Sequence, residues 1–180
     1  MQYPAPGSPQ LAERVMELLA DQSVCADRNW GLDHGTWSVL TRMYPAADIP
    51  VVQLSLAHTR EGQYHYDLGS KLLPLRDEGI LILGSGNVVH NLGRISWGDG
   101  AYDWAIEFDA KVKDCIKRSD HSPLIRFQEQ GEAAALSINS AEHYLPLLYI
   151  LGLRQVEDTC HFYCETVYFG SLSMRCLVLS

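Results

Sequence analysis

Clustered positive charge, long apolar runs and an even set of cysteines are all lacking in this sequence. The 180-residue chain has a formal net charge of -8, and no run of lysine or arginine exceeds two residues, which argues against nucleic acid as a partner. Its apolar stretches are far shorter than the roughly 20 residues that span a bilayer, so no membrane partner is expected. The five cysteines are scattered, as is typical of reduced thiols rather than of a disulfide framework.

The first residues contain neither the basic start nor the apolar segment of a secretory signal, so a cytoplasmic location is predicted. With 47% hydrophobic and 20% charged residues, the chain is long enough for one domain with an apolar core. We therefore expect a single domain over residues 1–180.

Apolar residues at helical spacing predict helices at about residues 9–20, 35–43, 64–75, 103–117 and 144–151. Nearly continuous β-branched runs predict buried strands at 49–56 and 80–83, and two later strands, 159–168 and 172–179, form a predicted hairpin. Two buried strands joined by a helix imply a parallel pair. The predicted fold class is therefore α/β, a three-layer α/β/α domain around a mixed sheet.

His90 follows the tight segment Gly84-Ser85-Gly86, which comes directly after the predicted strand 80–83. Ligands of open α/β sheets bind beyond the carboxyl ends of strands, where glycine lets the backbone turn closely. A functional histidine and a structural imidazole that bonds its own loop are equally good interpretations of this position. The segment does not match a phosphate-binding loop or a hydrolase nucleophile elbow.

Two further motifs place a histidine at the start of a helix. In Asp33-His34-Gly35 the helix dipole favours a neutral imidazole, although Asp33 as a simple helix cap with a locally bonded His34 explains that motif better when it stands alone. In Glu142-His143 either side chain is a candidate metal ligand at the mouth of an apolar helix. The alternative is that Glu142 stabilises the helix dipole and His143 packs.

The other histidines are weaker candidates. His58, His65 and His121 are predicted to lie at the surface. Cys160, His161 and Cys164 resemble half of a zinc site, but strand alternation would point His161 away from both cysteines. A structural zinc site is therefore the last-ranked alternative.

Taken together, six motifs occur in order along almost the whole chain. They resemble the class III extradiol ring-cleavage dioxygenases, in particular the 4,5-DOPA extradiol dioxygenase branch. The motifs are Tyr3-Pro4-Ala5-Pro6-Gly7-Ser8-Pro9, Asp33-His34-Gly35-Thr36-Trp37, Met43-Tyr44-Pro45 with residues 47–55, Gly86-Asn87-Val88-Val89-His90-Asn91, Glu142-His143-Tyr144-Leu145-Pro146-Leu147-Leu148-Tyr149, and Gly170-Ser171-Leu172-Ser173-Met174.

This resemblance implies an oxidoreductase with a mononuclear non-haem metal, Fe(II) or Zn(II), which binds a DOPA-like catechol through both hydroxyls and adds O2 beside the diol. It also implies that His143 is a metal ligand, that His90 is the acid/base and that His34 donates a hydrogen bond in the pocket. A histidine suits proton transfer because it titrates near neutral pH.

The chain departs from the family pattern in one respect. Related proteins carry two further metal-binding histidines in an N-terminal segment, and neither motif occurs here. We therefore expect the chain to match the C-terminal portion of the family fold, N-terminally truncated and with two metal ligands missing. An open sheet edge would then favour a homo-oligomer or a partner chain and poor solubility of the monomer. The alternative function is a non-catalytic interaction module that keeps the dioxygenase-like fold.

Overall fold

The structure, a computed structural model, describes residues 3–98 and 100–180. Within these residues the chain forms eight α-helices, and none of them is long and apolar enough to cross a membrane. The helices are α1 (Pro9–Leu18), α2 (His34–Met43), α3 (Gly62–Lys71), α4 (Pro74–Asp77), α5 (Asp103–Lys117), α6 (Ser122–Ile125), α7 (Glu132–Ser137) and α8 (Leu145–Gly152). Short 3₁₀ turns cover Leu92–Arg94, Phe127–Glu129 and Ala141–His143.

Local signals locate most helix ends well. The Ser8 hydroxyl accepts a hydrogen bond from the Leu11 amide at the start of α1, as expected of a helix cap. The predicted helix 64–75 is divided into α3 and α4, because Pro74 starts a new short helix. Gly79 follows with a φ of +76°, a left-handed conformation that ends the helical region. The predicted helices are therefore confirmed, with one of them split.

The predicted closing hairpin is also present. Strand β1 (Cys160–Tyr163) pairs antiparallel with β4 (Cys176–Leu179), and β2 (Val167–Tyr168) pairs antiparallel with β3 (Leu172–Ser173). Helices and strands together confirm the α/β class.

The predicted buried strands at 49–56 and 80–83 are not strands in the described structure. From Val52 to Leu56 and from Leu81 to Leu83, the backbone makes no backbone hydrogen bond to another described residue. Ile80 and Ile82 pack against an apolar cluster, whereas Leu81 is 64% exposed. The prediction of a buried parallel pair is wrong here, because a strand is buried on both faces only when neighbouring strands and a second layer cover it.

Helix α8 lies at the centre of the core. Leu145, Leu148 and Leu151 belong to a cluster with α5, α6 and α7, whereas Tyr149 packs in a second cluster with α1, α3 and α4. The helix is apolar around most of its circumference because both sides are covered. Its position therefore determines how the two clusters meet.

Helices α3 and α8 touch backbone to backbone. A Cβ at Gly69 would collide with the carbonyl group of Tyr149, and one at Gly152 would collide with the carbonyl oxygen of Tyr66. Only glycine permits this approach, so these two glycines set the distance between the helices.

Two histidines that the sequence places at the surface are buried or half-buried. His65 is fully buried at the α3–α8 contact, where its Nδ1 lies 3.1 Å from the Tyr149 hydroxyl and its Nε2 has no hydrogen-bond partner. The Nδ1 of His121 lies 3.1 Å from the Tyr66 hydroxyl. The surface prediction is wrong for His65 and His121, because a local segment does not show which helices will cover it in the folded chain.

The pKa of His65 gives a test of this packing. Burial lowers that pKa below its ordinary value of 6.5, an effect only partly opposed by the Arg60 backbone. The unfolded chain therefore binds a proton on His65 more readily than the folded chain does. This histidine should consequently reduce stability as the pH falls below about 6.5.

We expect His65→Gln to weaken the acid-induced loss of stability between about pH 7 and about pH 5. The measurement is urea unfolding at a series of pH values. His161→Gln, at an exposed position on β1, is the matched control and should keep the wild-type pH dependence. Identical pH profiles for His65→Gln and the wild type would contradict the prediction.

Candidate active site

The three histidines singled out in the sequence lie together, although they come from distant parts of the chain. The imidazole rings of His90 and His143 are stacked, with centroids 3.6 Å apart and an interplanar angle of 15°. The ring of His34 lies 6.5 Å from that of His143, centroid to centroid, and is tilted by 55°. One polar cluster therefore contains all three predicted site residues.

His90 is held from two sides by backbone. Its amide donates to the Ser137 carbonyl at 2.9 Å, and the residue forms bridges to Ile138 in parallel and to Leu172 in antiparallel orientation. The next residue, Asn91, is buried and donates its side-chain amide to the Leu136 carbonyl at 2.7 Å. The His90 backbone is thus fixed between the end of α7 and strand β3.

His143 is held by the same loop that leads to His90. Its carbonyl accepts a hydrogen bond from the Asn87 amide at 2.7 Å. Gly86 lies directly against this carbonyl, and a Cβ at position 86 would collide with the oxygen. The glycine is needed here for close approach, and the contact sets the distance between the loop and the residue that precedes α8.

A polar network lies behind the loop. The Asn87 side-chain amide donates to the Ser173 carbonyl at 2.7 Å, and the Ser173 hydroxyl donates to Asp109 at 2.6 Å. The Arg175 guanidinium forms an ion pair with Asp109 and another with Glu165. Side chains of Arg175 and Asp109 are almost completely buried, so their charges require each other as partners.

His34 is positioned by the capped N-terminus of α2. The Asp33 carboxylate accepts a hydrogen bond from the Thr36 amide at 2.9 Å, which confirms that Asp33 caps the helix. The Gln53 side chain joins this cap to the extended segment before α3. Its Oε1 accepts from the Asp33 amide at 3.1 Å and from the Thr36 hydroxyl at 2.8 Å, while its Nε2 donates to the Asp33 carboxylate at 2.9 Å.

The loop that carries Gly86 also reaches α2. The Ser85 hydroxyl donates to the Gly35 carbonyl at 2.8 Å. Residues 85–90 therefore contact the backbone beside each of the other two histidines, and the loop acts as the common support of the cluster.

The surroundings of His90 and His143 favour neutral imidazoles. Burial lowers the pKa of His90, and repulsion from positive charge on His143 and His34 lowers it further. Burial also lowers the pKa of His143, with a contribution from His34, while Glu142 opposes the shift. Neutral imidazole can accept a proton or bind a metal, so both roles are available near neutral pH.

Glu142 precedes His143 directly in the chain. A hydrogen bond from Ser140 lowers the pKa of Glu142, and attraction to His58 and His143 contributes to the same shift. His58 is exposed in a loop, as predicted. The sequence indicates a close backbone approach at Gly86 but does not reveal that it packs on the His143 carbonyl. It gives no role to Gln53 or Asn87, because their function is to hold other residues in place.

The described residues do not form a complete metal site. Among residues 3–98 and 100–180 no group of three or more histidine, cysteine, aspartate or glutamate side chains is arranged to hold a metal ion. His90 and His143 face each other as stacked rings. The alternative zinc site gains no support, since His161 and Cys164 are exposed and Cys160 is partly buried.

Comparison with known proteins identifies the class of this domain. The crystal structure of an uncharacterized protein from Escherichia coli K12 superposes with a TM-score of 0.92 at 45% sequence identity, and the match covers 98% of this chain and 75% of that chain. The profile of the family described as "Catalytic LigB subunit of aromatic ring-opening dioxygenase" matches residues 1–171. This chain belongs to that family.

The related proteins have more specific names. The 4,5-DOPA dioxygenase extradiol of Escherichia coli (strain K12) is 47% identical over 178 residues, covering 96% of this chain and 65% of that protein. The proteins of the same name from Portulaca grandiflora and Beta vulgaris are 40% and 41% identical, covering 96% and 83% of this chain and 65% and 58% of theirs. The chain spans 58–65% of the length of these three relatives.

The resemblance recognised in the motifs is confirmed at the level of the family. The expectation that an N-terminal segment is missing is not borne out by these comparisons.

The Gln53 network can be tested through His34. Replacing Gln53 by Leu removes three hydrogen bonds at the cap of α2, so we expect a loss of about 1 kcal/mol in the free energy of unfolding. We also expect the NMR signals of the His34 and His143 imidazoles to shift or broaden.

Gln63→Leu is the matched control, because Gln63 donates to Asp67 at 2.7 Å on the exposed surface of α3. Its loss should leave the imidazole signals unchanged. If both variants affect those signals equally, or neither does, Gln53 does not position His34.

Proposed function

We propose that this protein is an extradiol ring-cleaving dioxygenase that acts on a DOPA-like catechol with O2 and a mononuclear non-haem metal, Fe(II) or Zn(II). The observation that carries the proposal is the cluster of His34, His90 and His143, with the His90 and His143 rings 3.6 Å apart. Membership in the ring-opening family and the names of the relatives support it.

His90 is the proposed acid/base. Its lowered pKa keeps the imidazole neutral near pH 7 and ready to take a proton from a catechol hydroxyl. Because its backbone is fixed on both sides, the ring can return this proton to the same substrate without a large rearrangement. Proton transfer by a well-placed side chain commonly accelerates a reaction by about 100-fold or more.

His34 and His143 have different proposed roles. His34, at the rim of the cluster, would donate a hydrogen bond to the catechol or to oxygen, and the capped start of α2 would orient it. His143 is the proposed metal ligand, and its neutral imidazole has the protonation state that a ligand requires. Since the described residues form no complete ligand set, we assign no step of the reaction to the metal.

The substrates would be a small catechol and O2, and no nucleic acid or membrane partner is expected for a chain with a net charge of -8 and no basic cluster. The cytoplasmic location is a prediction that cell fractionation would test.

The proposal predicts a specific pattern of oxygen uptake. The chain, supplied with Fe(II) under reducing conditions and then with L-DOPA and air, should consume O2 and form a coloured ring-opened product. His90→Gln should lower kcat by about 100-fold or more, since it removes the base, while catechol still binds. His143→Ala should lower the metal content measured by mass spectrometry.

His161→Gln serves as the matched control and should retain full activity, because this exposed histidine lies on β1. Absence of O2 uptake with either metal and any catechol tested, in a folded and metal-supplied protein, would make the dioxygenase proposal wrong.

A second candidate function is an interaction module, here a homo-oligomer. The backbone from Leu81 to Leu83 makes no backbone hydrogen bond within the described residues, and both leucines are exposed, Leu81 by 64%. Such an edge can pair with the same segment of a second copy across a two-fold axis. A partner of this kind would also cover the apolar side chains.

If this segment mediates self-association, Leu81→Lys should convert oligomers into monomers, because a charge on an unpaired backbone segment opposes pairing with a second copy. Size-exclusion chromatography with light scattering is the measurement. Ile106→Lys, which places the same charge at an exposed apolar position on α5, should not change the mass. A compact wild-type monomer at all concentrations would rule out the oligomer.

A further inference from the structure

Two exposed cysteines meet at one end of the β1–β4 hairpin. Cys164 immediately follows the last residue of β1, and Cys176 is the first residue of β4. Tyr163 and Cys176 lie directly opposite each other in the register of the two strands. Cys164 therefore lies one residue beyond the position directly opposite Cys176, on the neighbouring segment of the same chain.

The separation of their Cα atoms fits a disulfide. Neighbouring strands lie about 4.8 Å apart and rise about 3.4 Å per residue, which gives a Cα separation of about 6 Å for positions offset by one residue. Disulfides span roughly 4.4–6.8 Å between Cα atoms. The backbone geometry of the hairpin therefore permits the bond without movement of the strands.

The conformation of Cys164 removes the usual obstacle to such a pair. Successive side chains of a strand point to opposite faces, so a regular strand would direct Cys164 away from the face shared by Tyr163 and Cys176. Cys164 instead has a φ of 52°, a left-handed conformation that is rare for residues other than glycine. Its carbonyl also accepts a hydrogen bond from the Thr166 amide at 2.7 Å, so the chain turns at this position.

The Cys176 thiol donates a hydrogen bond to the Met174 carbonyl at 3.5 Å. Burial raises the pKa of this thiol, and the nearby Cys164 raises it further, which disfavours Cys176 as the attacking thiolate. Cys115 is buried and Cys160 is partly buried, so neither offers the same exposed pair. Cys25 is exposed, but it lies in the loop after α1.

We propose that Cys164 and Cys176 form a reversible intramolecular disulfide when the protein meets a peroxide. The Cys164 thiolate attacks the O–O bond of hydrogen peroxide to give a sulfenic acid and, after protonation, water. The second thiol then attacks the sulfenic sulfur, forms the S–S bond and releases a second water. Two thiols lose two electrons and two protons, and a dithiol reductant reverses the change by exchange.

The disulfide would stabilise the segment of the chain that contacts the backbone of His90. It closes the segment 165–175, which contains strands β2 and β3 and the ion-paired Glu165 and Arg175. Within this segment Leu172 bridges to His90, and the Ser173 amide donates to the Val89 carbonyl at 3.0 Å. Because a cross-link restricts the unfolded chain, the oxidised protein should melt at a higher temperature.

The test is treatment of the intact protein with hydrogen peroxide, followed by mass spectrometry without reduction. We expect a mass lower by two hydrogen atoms, the loss of two titratable thiols, and full reversal by dithiothreitol. Trypsin cleaves after Arg175 and so separates the two cysteines. The disulfide should therefore link peptide 155–175 to peptide 176–180.

Peptide 155–175 also contains Cys160, which supplies a matched control. The linked peptides and the rise in melting temperature should persist in Cys160→Ser and in Cys25→Ser, and both should disappear in Cys164→Ser and Cys176→Ser. The proposal is wrong if the wild type yields no linked peptides and its thiols only gain oxygen, if the link survives in Cys164→Ser, or if it joins only different molecules.

Discussion

The backbone contact between α3 and α8 is the constraint on which the rest of this structure depends. Gly69 and Gly152 bring the two helices together more closely than any side chain would allow. Helix α8 is consequently covered on both sides, by α5 to α7 on one side and by α1, α3 and α4 on the other. His65 and Tyr149 form a buried polar pair at the same contact. The interface therefore combines close packing with a hydrogen bond whose partners are buried away from water.

The candidate site is an extension of this core. His143 lies two residues before α8, so the buried helix fixes its backbone. The loop at Gly86 then rests on the His143 carbonyl, and through Ser85 it reaches the start of α2. One loop therefore carries His90 and contacts the backbone at or next to the other two histidines. The polar chain from Asn87 through Ser173 to Asp109 joins that loop to α5, which makes the support rigid without any residue that itself does chemistry.

Features with local causes were predictable from the sequence, and features with distant causes were not. Ser8 and Asp33 cap their helices as the patterns indicate, because a cap depends on the next three residues. The apolar runs at 49–56 and 80–83 predict strands, but pairing depends on a neighbouring strand. Among the described residues the only backbone hydrogen bonds of these segments are from Val51 to Pro6 and from Ile80 to Leu75. The histidine roles came from resemblance to a family. The partners of Gln53 and Gly86 could not be predicted, since only the folded chain shows which cap or carbonyl they contact.

The contact between α3 and α8 also has a consequence for the order in which the molecule folds. His65 and Tyr149 are separated by 84 positions along the chain, so a long loop must close before the two helices can pack. Contacts of this length slow folding, because the entropy of the loop is lost before the packing energy is gained. His143 reaches its place only when α8 does. The histidine cluster therefore requires the closure of this long loop and cannot assemble from the local helices alone.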